Sequence, residues 1–186
     1  KSGQDNRCGH RFDGQFGELP KGYDHKYVYS TFGYNLGITD MQSAVGCAQL
    51  EKFPAFVERR KYNWEFLKKE LSDVSDRLIL PEAEKDSDPS WFGFCMTVRE
   101  GIDRNKVIRY IEDHGVQTRL LFAGNIIKHP CFDAIRNDPN AYRVVGELKN
   151  TDIITERTFW VGVYPGMTDD KLSYMAKTIK EALRQQ

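Results

Sequence analysis

Tyr29-Ser-Thr-Phe-Gly-Tyr-Asn-Leu-Gly-Ile-Thr-Asp-Met-Gln-Ser-Ala-Val-Gly-Cys-Ala-Gln-Leu-Glu-Lys-Phe53 decides the fold. It runs from an aromatic segment through a glycine turn and an asparagine into an apolar helix. Thr39-Asp-Met-Gln42 is a capping box: the threonine hydroxyl caps an early N–H and the glutamine reaches back. Asp40 suits the positive helix end. Met41, Ala44, Val45 and Ala48 recur at helical spacing, with Leu50 one position off. Ser43, Ala44, Gly46 and Ala48 are small enough for a close helix contact. Pro54 is predicted to end this helix and to open a second one over about 54–72. That second helix carries Phe56, Val57, Arg60, Trp64, Leu67 and Leu71 at helical spacing. Arg59, Arg60, Lys61, Lys68 and Lys69 read as a solvated basic face.

Upstream, residues 1–28 are polar and turn-rich, with glycine at 3, 9, 14, 17 and 22. Tyr23, Tyr27 and Tyr29 would anchor them on something else. Downstream, the acidic loop from Pro81 to Ser90 marks a boundary. Trp91 to Val98 reads as a buried strand. Asp103 caps a helix over 104–114, which Gly115 ends. Val116 to Leu121 is a second strand, 122–158 a mixed loop and helix region, and Phe159 to Val163 a third strand. Thr168 caps a last helix, with Asp169 and Asp170 at its start and Lys177, Lys180 and Arg184 towards its end. The expected class is α/β: a three-strand sheet packed with helices, plus a helical arm. The expected organisation is an irregular segment over 1–38, a connecting arm over 39–80 and a small domain over 81–186.

Composition narrows the function classes. The 186 residues hold 27 Lys+Arg and 27 Asp+Glu, so no net field favours nucleic acid or an anionic membrane. No apolar run approaches the ~20 residues that span a bilayer. The N-terminus has no apolar signal core, and a cytoplasmic location is expected. Cys8, Cys47, Cys95 and Cys131 form no CxxC pair. Cys47 and Cys95 lie in apolar runs and are expected to be buried small hydrophobes. HExxH, GxSxG and P-loop patterns are absent. His114, at a helix C-terminus, reads as structural. Two places stand out. Asn35 in the Gly33-Tyr-Asn turn either holds the turn or donates to an anion. Arg119, in Thr118-Arg-Leu-Leu-Phe-Ala-Gly-Asn-Ile126, suits an anionic ligand at a strand end.

Gly33 to Lys52 resembles a signature of the DegT-type nucleotide-sugar aminotransferases, and Val163-Tyr-Pro-Gly-Met-Thr-Asp169 resembles a second one. The resemblance covers essentially the whole chain. It implies the small C-terminal domain of a fold-type I transferase that depends on pyridoxal phosphate. Cys8-Gly-His-Arg-Phe12, Gly22 to Tyr27, Thr118 to Asn125 and Lys128 to Phe132 are similar to the CDP-4-keto-6-deoxyglucose 3-dehydrase branch. That branch implies pyridoxamine phosphate, a histidine in place of the Schiff-base lysine, and a [2Fe-2S] cluster. It also implies loss of the C3 hydroxyl from a nucleotide-linked 4-keto-6-deoxy sugar during surface-polysaccharide biosynthesis.

Carried onto this chain, the resemblance makes Asn35 a contact to the cofactor phosphate of a partner subunit. Arg119, Phe122 and Asn125 become substrate contacts and Cys8 a cluster ligand, or else a free thiol. Where the aminotransferases place a basic residue after the asparagine, this chain has Gly37. The catalytic histidine and the cluster's other cysteines are expected upstream of Lys1, with a Cys-x-Cys abutting it. No catalytic residue is therefore expected in this piece, which alone would be inactive. A reductase and a homodimer are the expected partners. Two alternatives remain: a pyridoxal-phosphate aminotransferase, and a catalytically empty scaffold.

Overall fold

Three helix starts form as their caps dictate. Thr39 and Gln42 exchange backbone-to-side-chain bonds at 2.9 and 3.3 Å. Asp103 accepts from the N–H groups of Asn105 and Lys106. Thr168 accepts from the N–H of Lys171. Each satisfies backbone donors that a helix start leaves unpaired. The computed structural model describes residues 12–29, 31–34 and 36–186. Two units are distinguished, Lys1–Gly46 and Cys47–Gln186.

In the first unit, a 3-10 turn covers His25–Tyr27. Gln15 Nε2 donates to the carbonyls of Gly17 and Leu19. Phe32, Tyr34 and Leu36 are exposed. Helix α1 (Asp40–Glu70) begins here and continues through the second unit. Its 31 residues include Pro54, so the predicted break does not occur. Proline removes one helical hydrogen bond and crowds the preceding turn, at a cost of roughly 3 kcal/mol. The burial of Trp64 and Leu67 fixes the part of the helix after Pro54, while the part before it is largely exposed and starts at the capping box.

The second unit has β1 (Leu78–Ile79), β2 (Gly93–Val98), α2 (Arg104–Asp113), β3 (Thr118–Leu120), α3 (Lys149–Arg157), β4 (Thr158–Gly162) and α4 (Asp169–Arg184). The sheet has four strands in the order β1-β2-β4-β3, all antiparallel, rather than the three expected. The extra strand has two residues, too few to show an alternation. In β2, Phe94, Met96 and Val98 are buried while the residues between them are half-buried. Phe159 and Val161 of β4 share that face, because Phe94 pairs with Val161 and Met96 with Phe159. Val107 and Ile111 of α2, Leu172, Ile179 and Leu183 of α4, and Trp64, Leu67 and Leu71 complete one core.

The basic side of α1 is not simply solvated. Arg59 Nη2 donates to the Met167 carbonyl and to Asp169 Oδ1, both at 2.7 Å. Tyr62 donates to Asp169 Oδ2 at 3.0 Å. Lys61 pairs with Asp88 at 2.6 Å, and Arg60 donates to the Ser90 carbonyl. The fully buried Asn63 donates to the Tyr164 carbonyl at 2.8 Å. The helix is therefore stitched to the turn that launches α4.

Arg59, then Tyr62, hold the Asp169 carboxyl below the usual carboxylate range. The native state then binds fewer protons than the unfolded one. Its contribution is complete above the unfolded value, about 3.9, and is lost as pH falls through the lower folded value. Asp169→Asn is expected to lose less stability than wild type between pH 5 and pH 2. Urea unfolding across that window checks this; an unchanged acid limb would refute it. Both partners are partly exposed, so added salt should shrink the difference.

Cys47 is exposed rather than buried, and Cys95 is half-buried. Cys47 lies in the part of α1 where Met41, Val45 and Leu50 are also exposed, so its apolar neighbours in sequence do not enclose it. Cys95 occupies the sheet face opposite the core, where burial raises its thiol pKa. His114 caps α2 and stacks on Tyr110, with ring centroids 4.0 Å apart. Among the described residues no helix is long and apolar enough to cross a membrane.

Candidate functional site

The sheet face away from the core carries Arg119 and Trp160 side by side, because β3 and β4 pair them. The two-residue period of a strand separates Trp160 from the buried Phe159 and Val161. Its indole Nε1 donates to the Leu120 carbonyl at 3.1 Å. Phe92 meets the indole edge-on at 5.2 Å, and Phe122 lies 6.3 Å away. Gly93 makes room for the ring: a Cβ there would come within 2.7 Å of it.

A cavity of about 620 Å³ opens beside this pair. Arg119, Trp160, Tyr164, Lys171 and Tyr174 are among its walls. The volume lies within the range of small-molecule sites, roughly 300–1,000 Å³. Arg119 and Lys171 bring positive charge and Asp170 one carboxylate. The Arg119 guanidinium is exposed and spends Nη1 on the Thr118 carbonyl. The Gln117 amide oxygen faces both of its Nη atoms at 2.9 Å when oriented to accept from them. A planar fork held this way presents its remaining N–H groups to an oxygen anion.

Phe122 is 71% exposed and stands at the end of β3. Asn125 is only 3% exposed. Its backbone N–H donates to Thr155 Oγ1, and its side-chain nitrogen to Asp152 Oδ1, both at 2.7 Å. Lys128 reaches the same Asp152 oxygen at 2.7 Å. Lys128, then Asn125, hold the Asp152 carboxyl below its usual range. Arg104 donates to the Thr155 and Thr158 carbonyls, fastening α2 to the end of α3.

Cys8 and Asn35 lie outside the described residues. Among the described residues no group of three or more His, Cys, Asp or Glu could hold a metal ion. The strand pair brings together Arg119, Phe122 and an unforeseen Trp160. Alternation along Phe159-Trp-Val161 was the signal for Trp160. Asp152 and Thr155 had no such signal.

The fold is a small α/β domain with an arginine and aromatic groups at a cavity on its sheet. Residues 15–180 match the model of the DegT/DnrJ/EryC1/StrS aminotransferase family, and the chain belongs to that family. It is 51% identical over 181 residues to the lipopolysaccharide biosynthesis protein RfbH of Salmonella typhimurium, covering 96% of this chain and 40% of that protein. It is 48% identical over 181 residues to the dTDP-4-dehydro-2,6-dideoxy-D-glucose 3-dehydratase of Saccharopolyspora spinosa, covering 96% and 38%. The E. coli GDP-4-keto-6-deoxy-D-mannose-3-dehydratase, solved with bound hydrated PLP, shares the fold. There the TM-score is 0.69 and the identity 22%, covering 83% of this chain and 38% of that one. The chain thus spans about two fifths of the length of the curated relatives it matches.

Proposed function

We propose that this chain is the C-terminal part of a nucleotide-sugar 3-dehydratase that removes the C3 hydroxyl of a 4-keto-6-deoxyhexose in surface-polysaccharide biosynthesis. One observation carries the reading: 48% identity over almost the whole chain to a protein named as a sugar-nucleotide 3-dehydratase. The identity to RfbH supports the polysaccharide context.

In this reading the chain's own residues bind and orient. Arg119 takes an oxygen anion of the sugar nucleotide, and a diphosphate is the group its fork suits. Trp160 offers an apolar wall to the cavity, with Phe122 beside it on the same stretch of surface. Asn35 would reach the cofactor phosphate across a homodimer. The pyridoxamine or pyridoxal phosphate would supply the electron sink that lets the hydroxyl leave.

The iron–sulfur part of the reading rests on Cys8 alone. Clusters of this kind take four ligands, so Cys8 would act with cysteines elsewhere in the protein and with a reductase.

The test is to incubate the full-length protein, charged with the cofactor, with CDP-, dTDP- and GDP-linked 4-keto-6-deoxyhexoses and to follow C3 by NMR. Loss of the C3 hydroxyl from one of them is the expected result. Gain of an amine at C4 with the C3 hydroxyl retained would overturn it in favour of an aminotransferase.

A further inference from the structure

The loop after β3 is shaped against its own backbone preference. Ala123 and Gly124 are consecutive left-handed residues, at φ 44° and 54°. A non-glycine residue persists there only when its surroundings over-determine it. The surroundings are explicit. Gly124 lies so close to α3 that a Cβ would fall 2.6 Å from Thr155 Oγ1. His129 Nε2 meets the Ala123 carbonyl at 2.5 Å. The buried Asn125 is bonded through both its backbone and its side chain to α3. Asp152, in the first turn of α3, is the point where Asn125 and Lys128 converge on one oxygen atom.

β3 itself has three residues and lies at the sheet edge. It has one neighbouring strand to fix its register, and the loop begins directly beyond it. Anchoring the loop therefore anchors the end of the strand that carries Arg119.

We propose that Asp152 is a positioning residue: through Asn125 and Lys128 it fixes the loop after β3, and with it Phe122 and Arg119, against Trp160. This assigns Asn125 its role through the loop. The consequence for substrate rests on the functional reading above; the consequence for the loop does not.

Two readouts in the full-length protein keep these apart. The first needs no substrate. In Asp152→Ala, amide exchange over residues 121–129 should rise about tenfold, with α4 unchanged. Unchanged protection of that loop would overturn the proposal. The second is kinetic, with the nucleotide sugar that the wild type accepts. Asp152→Ala should raise KM about tenfold with kcat within about twofold, since misplaced binding groups cost affinity before chemistry. A wild-type KM would overturn the link to the site.

Exchange of partners separates the pair from mere fold disruption. Asn125→Asp alone places two carboxylates at hydrogen-bond distance and should be as damaging as Asp152→Ala. Adding Asp152→Asn restores the bond with donor and acceptor reversed, and should return both readouts most of the way to wild type. A double variant no better than Asn125→Asp would overturn the assignment. Should the wild type turn over none of the sugar nucleotides, the functional reading fails, and exchange in the single and double variants still decides the clamp.

Discussion

Arg119→Ala in the full-length protein raises the KM for the nucleotide sugar by about ten- to a hundredfold and leaves thermal unfolding unchanged. The magnitude follows from the loss of a charge-assisted hydrogen bond, about 1.5–3 kcal/mol. The side chain is exposed, and its intramolecular bonds are to its neighbour Thr118 and to Gln117, so the core does not depend on it. Arg119→Lys should recover only part of the loss, because an ammonium keeps the charge but not the planar fork. Steady-state kinetics with each variant, beside a melting curve, check the expectation. A KM within twofold of wild type would remove Arg119 from the substrate site.

Phe94→Ala destabilises the protein by about 3–5 kcal/mol, the range for a fully buried phenylalanine. Phe94 has no solvent exposure, and its ring centroid lies 5.4 Å from that of Trp64, which in turn stacks on Trp91 at 4.5 Å. Truncation opens a void among α1, β2 and β4 that a close-packed core cannot fill by relaxing. Phe122→Ala removes the same ring from a 71% exposed position and should change stability by no more than about 0.5 kcal/mol. Urea unfolding followed by tryptophan fluorescence measures both. Equal costs for the two variants would mean that burial is not what distinguishes them.

Local chemistry was legible from the residues. The caps at Thr39, Asp103 and Thr168 involve partners two to three positions away, so sequence spacing contains the whole interaction. Gly115, at φ 77°, follows the C-cap His114, as its lack of a Cβ allows. The strands around Phe94 and Phe159 announced themselves by apolar runs. Pro54 misled for the opposite reason. Its local preference is to break a helix, and the helix nevertheless runs through it. Cys47 misled because apolar neighbours in sequence are not the same as enclosing neighbours in space.

The candidate site divides in the same way. Arg119 stood out along the chain as a strand-end arginine ahead of Gly124-Asn125, whereas Phe122 came only with the family resemblance. Trp160 was half-legible, since alternation gives its face but not its partner. The Asp152 clamp joins residues 27 positions apart, and the Arg59 clamp residues 110 apart. Nothing in the spacing of those residues marks them. The sequence alone determined where helices start, which strand faces are apolar and which family's motifs the chain carries, because each is encoded within a few residues. Tertiary structure alone decided that an arginine of α1 holds the turn into α4 and that Asn125 and Lys128 meet on Asp152 beside the loop after β3. Those outcomes depend on which distant groups meet, and that is settled only when the sheet and its helices pack.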